Sequence, residues 1–263
     1  MHKYRHHIIL LVFIVFVGIL ITMDAIPQDL EYHDFADKRQ IFGIPNFWDV
    51  MSNLPMFFLG GFGLYLSLKN FGQRKNAVAK LIPLVLCVGI FTACFGSAYY
   101  HVIPDNNRLV WDRLPMTLMF MPIFSLLLYD FVGVKIGQFA FWILVPLGIF
   151  SIFYWQYTES IGQGDLRFFV FVQFFPMVIT PFILWLYPKK TYYVKYIIYI
   201  LGWYIVAKIC EHFDDAIFNT LGFWSGHTIK HLVGGISLFY ILKLIVAWER
   251  ELIKGSSIQG EAN

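Results

Sequence analysis

Eight apolar runs, each about as long as a lipid bilayer is thick, constrain this chain more than any other feature of its sequence. A helix needs about 20 apolar residues to cross a hydrocarbon core about 30 Å thick, and it satisfies its own backbone hydrogen bonds, which lipid cannot do. Apolar residues make up 58% of the 263 residues and charged residues only 14%, which excludes an ordinary soluble domain. We therefore predict an all-α fold, a polytopic membrane helical bundle. The predicted spans are at about 7–23, 47–68, 79–101, 112–130, 138–155, 168–187, 196–213 and 226–247.

These spans divide the chain into four parts. Residues 1–24 are predicted to be an N-terminal transmembrane anchor, and residues 25–46 an outer loop. Residues 47–247 are predicted to form a seven-helix core, and residues 248–263 a cytoplasmic tail. A signal peptide is the alternative for the first part, but no A-x-A cleavage site follows it.

Charge is distributed in a way that predicts topology. Lysine and arginine collect at the amino terminus, at every second connection and in the tail, while most acids lie in the opposite connections. The positive-inside rule places the basic segments in the cytoplasm, so we expect both termini inside and a multi-pass protein of a bacterial plasma membrane. The net charge of +3 gives no reason to expect a nucleic-acid partner. The sequence does not predict an oligomeric state.

Polar residues near the predicted outer ends of three spans indicate a metal site. His227 and His231 are four residues apart, so on a helix both imidazoles can reach one ion. His101 ends the third span with Ser97 one turn before it, and Asp112 begins the fourth. Polar groups at membrane depth usually face the bundle interior and pair with one another or with an ion. A haem pair fits less well, because axial ligands approach a porphyrin from opposite sides.

The same residues lie in motifs that resemble a known family. The motifs are NFWDVMSNL at 46–54, SAYYH at 97–101, DRLPM at 112–116 and HTIKH at 227–231. Together they resemble the alkaline ceramidases and, more broadly, the CREST superfamily of membrane hydrolases, which includes the adiponectin and progestin receptors. The resemblance covers about residues 46–247 and implies a seven-helix core with a buried zinc. It implies that His101, His227 and His231 bind the zinc and that Ser97 and Asp112 occupy the remaining active-site positions.

One position departs from the family pattern. The resemblance implies an acidic calcium site before and at the start of the first core helix, but Asn46 stands where the motif has glutamate. Asp34 and Asp37 are the other candidate calcium ligands. Calcium prefers six to eight oxygen ligands, and a neutral amide weakens such a site. A solvated acidic loop is the alternative interpretation.

The predicted function is that of a zinc-dependent intramembrane hydrolase acting on a lipid from the bilayer. The ceramidase resemblance implies cleavage of ceramide to a sphingoid base and a fatty acid; another lipid amide or an ester remains open. Asp112 is predicted to accept a proton from zinc-activated water, and Ser97 to hydrogen-bond the water or the oxyanion. The alternatives are a receptor-like or regulatory protein with a structural zinc, and a transporter.

Two further groups of polar residues have two interpretations each. Arg113 either contacts a lipid headgroup or marks the membrane interface. Glu211, His212, Asp214 and Asp215 cluster at the outer end of the seventh span. They form either a second shell around the site or a solvated helix end.

Overall fold

The computed structural model describes residues 4–74, 76–189 and 193–260, with the side chains of the last helix described as far as residue 252. The described residues fold into α-helices joined by short irregular segments, and they contain no β-strand. The helices are α1 (Arg5–Thr22), α2 (Phe47–Met51), α3 (Leu54–Lys69), α4 (Ala77–Val102), α5 (Asn106–Leu127), α6 (Val134–Ser160), α7 (Arg167–Leu186), α8 (Val194–His212), α9 (Asp214–Leu221) and α10 (Gly226–Gly260).

Seven helical segments among the described residues are long and apolar enough to cross a membrane. They are Arg5–Thr22, Phe47–Lys69, Ala77–Val102, Asn106–Val132, Val134–Ser160, Arg167–Leu186 and Gly226–Leu252. The predicted span 196–213 forms α8, which falls outside this set because it carries Lys195, Lys208 and Glu211. The fold is therefore an all-α polytopic membrane bundle, with seven rather than eight segments that meet the length and composition expected of a span.

The core of the bundle is built around α4. This helix packs between α3 and α5, while α10 packs along α8 and also contacts α3. Ile82, Leu86, Cys87 and Ile90 of α4 are fully buried. α6 packs against α5 and α7. These contacts connect seven helices into one bundle: α3, α4, α5, α6, α7, α8 and α10.

Helix α1 lies on the outside of this core, antiparallel to α7. At one end of the pair, the Tyr187 hydroxyl lies 2.7 Å from His6 Nδ1; at the other, Arg167 Nη1 donates to the Met23 carbonyl at 2.9 Å. Phe16 packs edge-on against Phe175 between them. No side chain of α1 is buried, as expected for a helix that is apolar all round and faces lipid.

Two glycines allow the helices that carry the candidate site to approach closely. A Cβ on Gly96 of α4 would lie 1.9 Å from the Trp111 carbonyl oxygen of α5. A Cβ on Gly226, at the start of α10, would lie 2.2 Å from the Cys210 carbonyl oxygen of α8. Small residues permit such backbone contact between membrane helices, so Gly96 and Gly226 set the spacing around the site.

The segment predicted as an outer loop packs over one end of the bundle. A short 3-10 helix, Leu30–His33, begins this packing. The His33 ring hydrogen-bonds the Tyr100 hydroxyl through Nδ1 and the Asn106 amide oxygen through Nε2, both at 2.8 Å. We call residues 23–46 the connecting segment. It covers the ends of α4 and α5, where two of the predicted site helices meet.

The last helix runs past the predicted start of the tail at residue 248. Trp248 is fully buried, and the Glu249 carboxylate forms a buried ion pair with Arg74. The described part of the tail is therefore helical and begins inside the core. Residues 261–263 of the predicted tail lie outside the described residues.

Candidate metal centre

Three buried histidines meet at the end of the bundle that the connecting segment covers. His101, His227 and His231 are 1%, 3% and 4% exposed, and each offers a ring nitrogen within 4.8 Å of the others. The Nε2 atoms of His101 and His227 lie 3.3 Å apart. Two nitrogens bound to one tetrahedral zinc at about 2.0–2.1 Å would be separated by roughly the same distance. The three residues therefore fit a metal ion, and zinc is compatible with an all-histidine set.

The start of α10 is fixed by two hydrogen bonds to backbone N–H groups that have no partner inside the helix. The Ser225 hydroxyl accepts from the Thr228 N–H at 3.0 Å, as an N-cap does. The Asp214 carboxylate accepts from the His227 N–H at 2.6 Å. Both bonds hold the first turn of α10 in place, so His227 and His231 project from a rigid element.

Ser52 orients the third histidine. Its hydroxyl donates to the Asp49 carbonyl at 3.1 Å and lies 2.8 Å from His231 Nδ1. Since the hydroxyl proton is engaged by the carbonyl, we assign the proton of the imidazole to Nδ1, which donates to the serine. The Nε2 lone pair of His231 is then free for a metal ion. A partner of this kind fixes the tautomer of a metal-binding histidine.

Phe35 of the connecting segment packs its ring against two of the three histidines. Its ring centroid lies 4.8 Å from that of His101 and 4.3 Å from that of His227. In the same segment, the Asn46 amide donates to the His101 carbonyl at 2.8 Å. The histidines are thus shielded by one aromatic ring and tied to the segment that carries it.

A cavity of about 260 Å³ lies within the bundle beside His231. Ser97, Asp112 and His231 line it, and the Ser97 hydroxyl is close enough to the Asp112 carboxylate to interact with it. Most of the remaining wall is apolar; six of the side chains that form it are Met119, Phe124, Ile197, Leu238, Ile241 and Leu244. An acid, a hydroxyl and a histidine therefore border a space suited to hydrocarbon.

A charged network borders the same cavity. Glu211 forms ion pairs with Lys208 and with Lys230, the second at 2.8 Å. Lys230 Nζ also donates to His227 Nε2 at 3.2 Å. A metal ion would need the same lone pair of His227, so Lys230 and the ion compete for one nitrogen.

Tyr32 of the connecting segment completes this network. Its hydroxyl donates to Glu211 at 3.3 Å. Burial and, after it, the nearby Glu211 carboxylate raise the pKa of Tyr32 to about 12. The phenol therefore stays protonated and keeps its donor role at neutral pH.

Two of the four polar residues around the junction of α8 and α9 support the metal centre, and the other two are exposed. Glu211 lines the cavity and pairs with Lys230, while Asp214 accepts from the backbone N–H groups of His227 and Ala36. These two residues support the centre. His212 and Asp215 are exposed, as expected at a solvated helix end.

The three candidate calcium ligands each engage a different partner. Asp34 forms an exposed ion pair with Lys38, and the fully buried Asp37 accepts from the Arg39 guanidinium at 2.7 and 2.8 Å. Asn46 donates to the His101 carbonyl. Among the described residues, the group that could hold a metal ion is the histidine cluster. A calcium site on Asp34, Asp37 and Asn46 stays a prediction.

Three residues at the metal centre were not predicted from the sequence: Ser52, Lys230 and Phe35. Ser52 lies inside the 46–54 motif, and that motif is the sequence feature that could have indicated it. Lys230 lies inside the 227–231 motif, but its approach to His227 depends on where Glu211 places the ammonium. Phe35 lies in no motif, and no local pattern indicates its contact with two histidines far away in the chain.

Comparison with protein-family models finds no match, and comparison with curated proteins finds none either. The buried histidines, the neighbouring acid and the apolar cavity are therefore the basis for a functional assignment.

Proposed function

We propose that this protein is a zinc-dependent intramembrane hydrolase that cleaves the amide bond of a lipid, with ceramide as the first candidate substrate. The observation that carries the proposal is a cluster of three buried histidines, one of which, His231, lines the same largely apolar cavity as Asp112 and Ser97. The resemblance of the four motifs to the alkaline ceramidases supports the choice of an amide.

His101, His227 and His231 would hold the metal, leaving a fourth tetrahedral position open. A zinc ion bound there supplies Lewis-acid polarisation of the carbonyl and lowers the pKa of water to about 7. Ser52 contributes by holding His231 in the tautomer that presents Nε2. Phe35 contributes by excluding bulk water, which strengthens the electrostatic interactions within the site.

Asp112 is assigned the proton transfers. A carboxylate oxygen of Asp112 accepts a proton from the attacking water as the new C–O bond forms at the carbonyl carbon. The same proton then passes to the leaving nitrogen as the C–N bond breaks, so the products are a carboxylic acid and an amine. Positioned general acid–base groups of this kind typically contribute a factor of about 100 to 10,000 in rate.

Ser97 is assigned a stabilising role. Its hydroxyl donates either to the attacking water or to the carbonyl oxygen as negative charge develops on it. The removal of one such donor typically lowers kcat by a factor of about 100 to 1,000. The apolar cavity beyond Ser97 accommodates an acyl chain that enters from the bilayer.

The test is hydrolysis of ceramide by the purified full chain, with release of sphingoid base as the readout. Asp112→Asn should lower turnover at least about a hundredfold while zinc content stays unchanged. Asp215→Asn, at an exposed aspartate near the same end of the bundle, is the matched control and should retain activity. A protein that binds zinc but releases no product from ceramide or from a panel of lipid amides would instead be a regulator with a structural metal.

A further inference from the structure

Arg113 borders the cavity with a buried hydrogen-bond donor that has no partner. The residue is 7% exposed and lies in the cavity wall next to Asp112 in the chain. Its Nη1 atom is buried and has no hydrogen-bond partner, and no ion pair joins Arg113 to any described residue. A buried guanidinium without a counter-ion is costly unless a ligand or another group compensates it.

Three aromatic rings surround this guanidinium. Its Cζ lies 4.8 Å from the centroid of Trp155, 5.0 Å from that of Phe169 and 5.4 Å from that of Tyr32. Ring faces attract a cation, which explains how the charge is tolerated before a ligand binds. The rings do not satisfy the N–H groups, which lie in the plane of the guanidinium and are suited to two oxygens of one carboxylate.

The charge around the cavity favours an anion. Lys208, Lys230 and Arg113 are cationic, whereas Asp112 and Glu211 are the acidic residues of the wall. These five side chains leave a net charge of +1 in the cavity wall. Both lysines form ion pairs with Glu211, whereas Arg113 is the cation of the wall that forms no ion pair with a described residue.

We propose that Arg113 binds a carboxylate on the amine side of the substrate, so that the preferred substrate class is N-acyl amino acids rather than neutral ceramides. This inference rests on the proposed function. Asp112 and Arg113 line the same cavity, and in an N-acyl glycine one methylene separates the amide nitrogen from the carboxylate. A short amino acid can therefore present its amide to the metal centre while its carboxylate contacts Arg113.

The test compares two ligands that differ in one group. N-oleoylglycine and N-oleoylethanolamine carry the same acyl chain and amide, but only the first is anionic. Binding is measured on the full chain in detergent, in an Asp112→Asn background where neither ligand is turned over. We expect N-oleoylglycine to bind at least about tenfold more tightly, in line with a charge-assisted bidentate contact. Arg113→Gln should remove that difference and leave the affinity for N-oleoylethanolamine unchanged.

Two further variants separate loss of the contact from loss of the fold. Arg113→Lys keeps the charge and should retain a preference for N-oleoylglycine. Arg108→Gln removes an arginine of the same helix that pairs with Asp105 outside the cavity, and should retain the full preference. Equal affinity for the two ligands, or a preference that survives Arg113→Gln, would overturn the inference.

Oleate distinguishes the substrate carboxylate from that of a fatty-acid product. If oleate binds as tightly as N-oleoylglycine and Arg113→Gln weakens both equally, Arg113 recognises the product and the proposed substrate class is wrong. Because these experiments measure binding, their outcome does not depend on whether the protein hydrolyses the ligand. Selective binding without any hydrolysis would refute the proposed function alone, whereas ceramide hydrolysis without selective binding would refute this inference alone.

Discussion

His101 Nε2 and His227 Nε2 lie 3.3 Å apart although the two residues are 126 positions apart in the chain. His101 lies in the last turn of α4 and His227 in the first turn of α10, so the distance depends on how closely the helices of the bundle pack. The pair is joined by His231 one turn further along α10.

Removal of a single histidine should abolish high-affinity metal binding. His101→Ala or His231→Ala leaves two imidazoles, which cannot complete a three-ligand site. Zinc per chain after purification, measured by elemental analysis, should fall from about one to near zero. His212→Ala removes an exposed histidine near the same end and should leave zinc content unchanged; an equal loss in that variant would contradict the assignment.

Ser52→Ala should weaken metal binding without removing a ligand. The serine holds His231 in the tautomer that presents Nε2, and loss of such a partner typically costs a factor of about 10 to 100 in metal affinity. Competition with a zinc chelator measures the change. Ser160→Ala, at an exposed helix end, is the control. An affinity equal to that of the unaltered chain would show that Ser52 does not orient the ligand.

Lys230→Gln should strengthen metal binding. Its ammonium donates to His227 Nε2, so the lysine competes with the metal for that nitrogen and repels the ion by its charge. We expect the zinc dissociation constant to fall by a factor of about 10, equivalent to about 1.4 kcal/mol. Lys208→Gln is the matched control, because Lys208 also pairs with Glu211 but does not contact a histidine. Weaker zinc binding in Lys230→Gln would contradict the competition.

Gly96→Ala should separate α4 from α5 and disturb the site. Its new methyl group would overlap the Trp111 carbonyl, and overpacking of this kind typically costs about 1–3 kcal/mol. The melting temperature in detergent and lipid-amide turnover should both fall. Gly202→Ala, on the exposed face of α8, places a methyl group where nothing lies within 4 Å and should change neither; equal effects in the two variants would show that the close approach is not needed.

Acid should destabilise the junction between α6 and α7. Hydrogen bonds from Arg167 hold the pKa of Asp165 below its usual value. A depressed folded-state pKa means that this stabilisation is present above the unfolded-state pKa of about 3.9. It is lost as the pH falls through the lower folded-state value. Asp165→Asn should therefore flatten the acid limb of melting temperature against pH, whereas Asp215→Asn, at an exposed position, should not.

Much of the fold was predictable because lipid restricts the choice of structure. Apolar runs of membrane length predict helices, and all eight predicted spans are helical. Helix α8 falls short of the composition expected of a span, because Lys208 and Glu211, which line the cavity, lower its apolar character; that α8 crosses the membrane stays a prediction.

The candidate site was predictable where its residues share a helix turn or a motif. The spacing of His227 and His231 indicates a common ion, and the four motifs added His101. Phe35 and the contact between Lys230 and His227 could not be predicted, since they depend on how the connecting segment and Glu211 are placed by tertiary packing. Arg113 was visible in the sequence, but its position among three rings and the missing partner of its Nη1 donor are seen only in the structure.

The most direct test of the proposed chemistry relates catalytic rate to metal content in one preparation. Zinc is removed from the purified full chain with a chelator and restored in steps, and hydrolysis of a lipid amide is followed at each step. Our account predicts that turnover rises in proportion to bound zinc and reaches its maximum at about one ion per chain. Full turnover by the metal-free protein, or none at any zinc content, would contradict it.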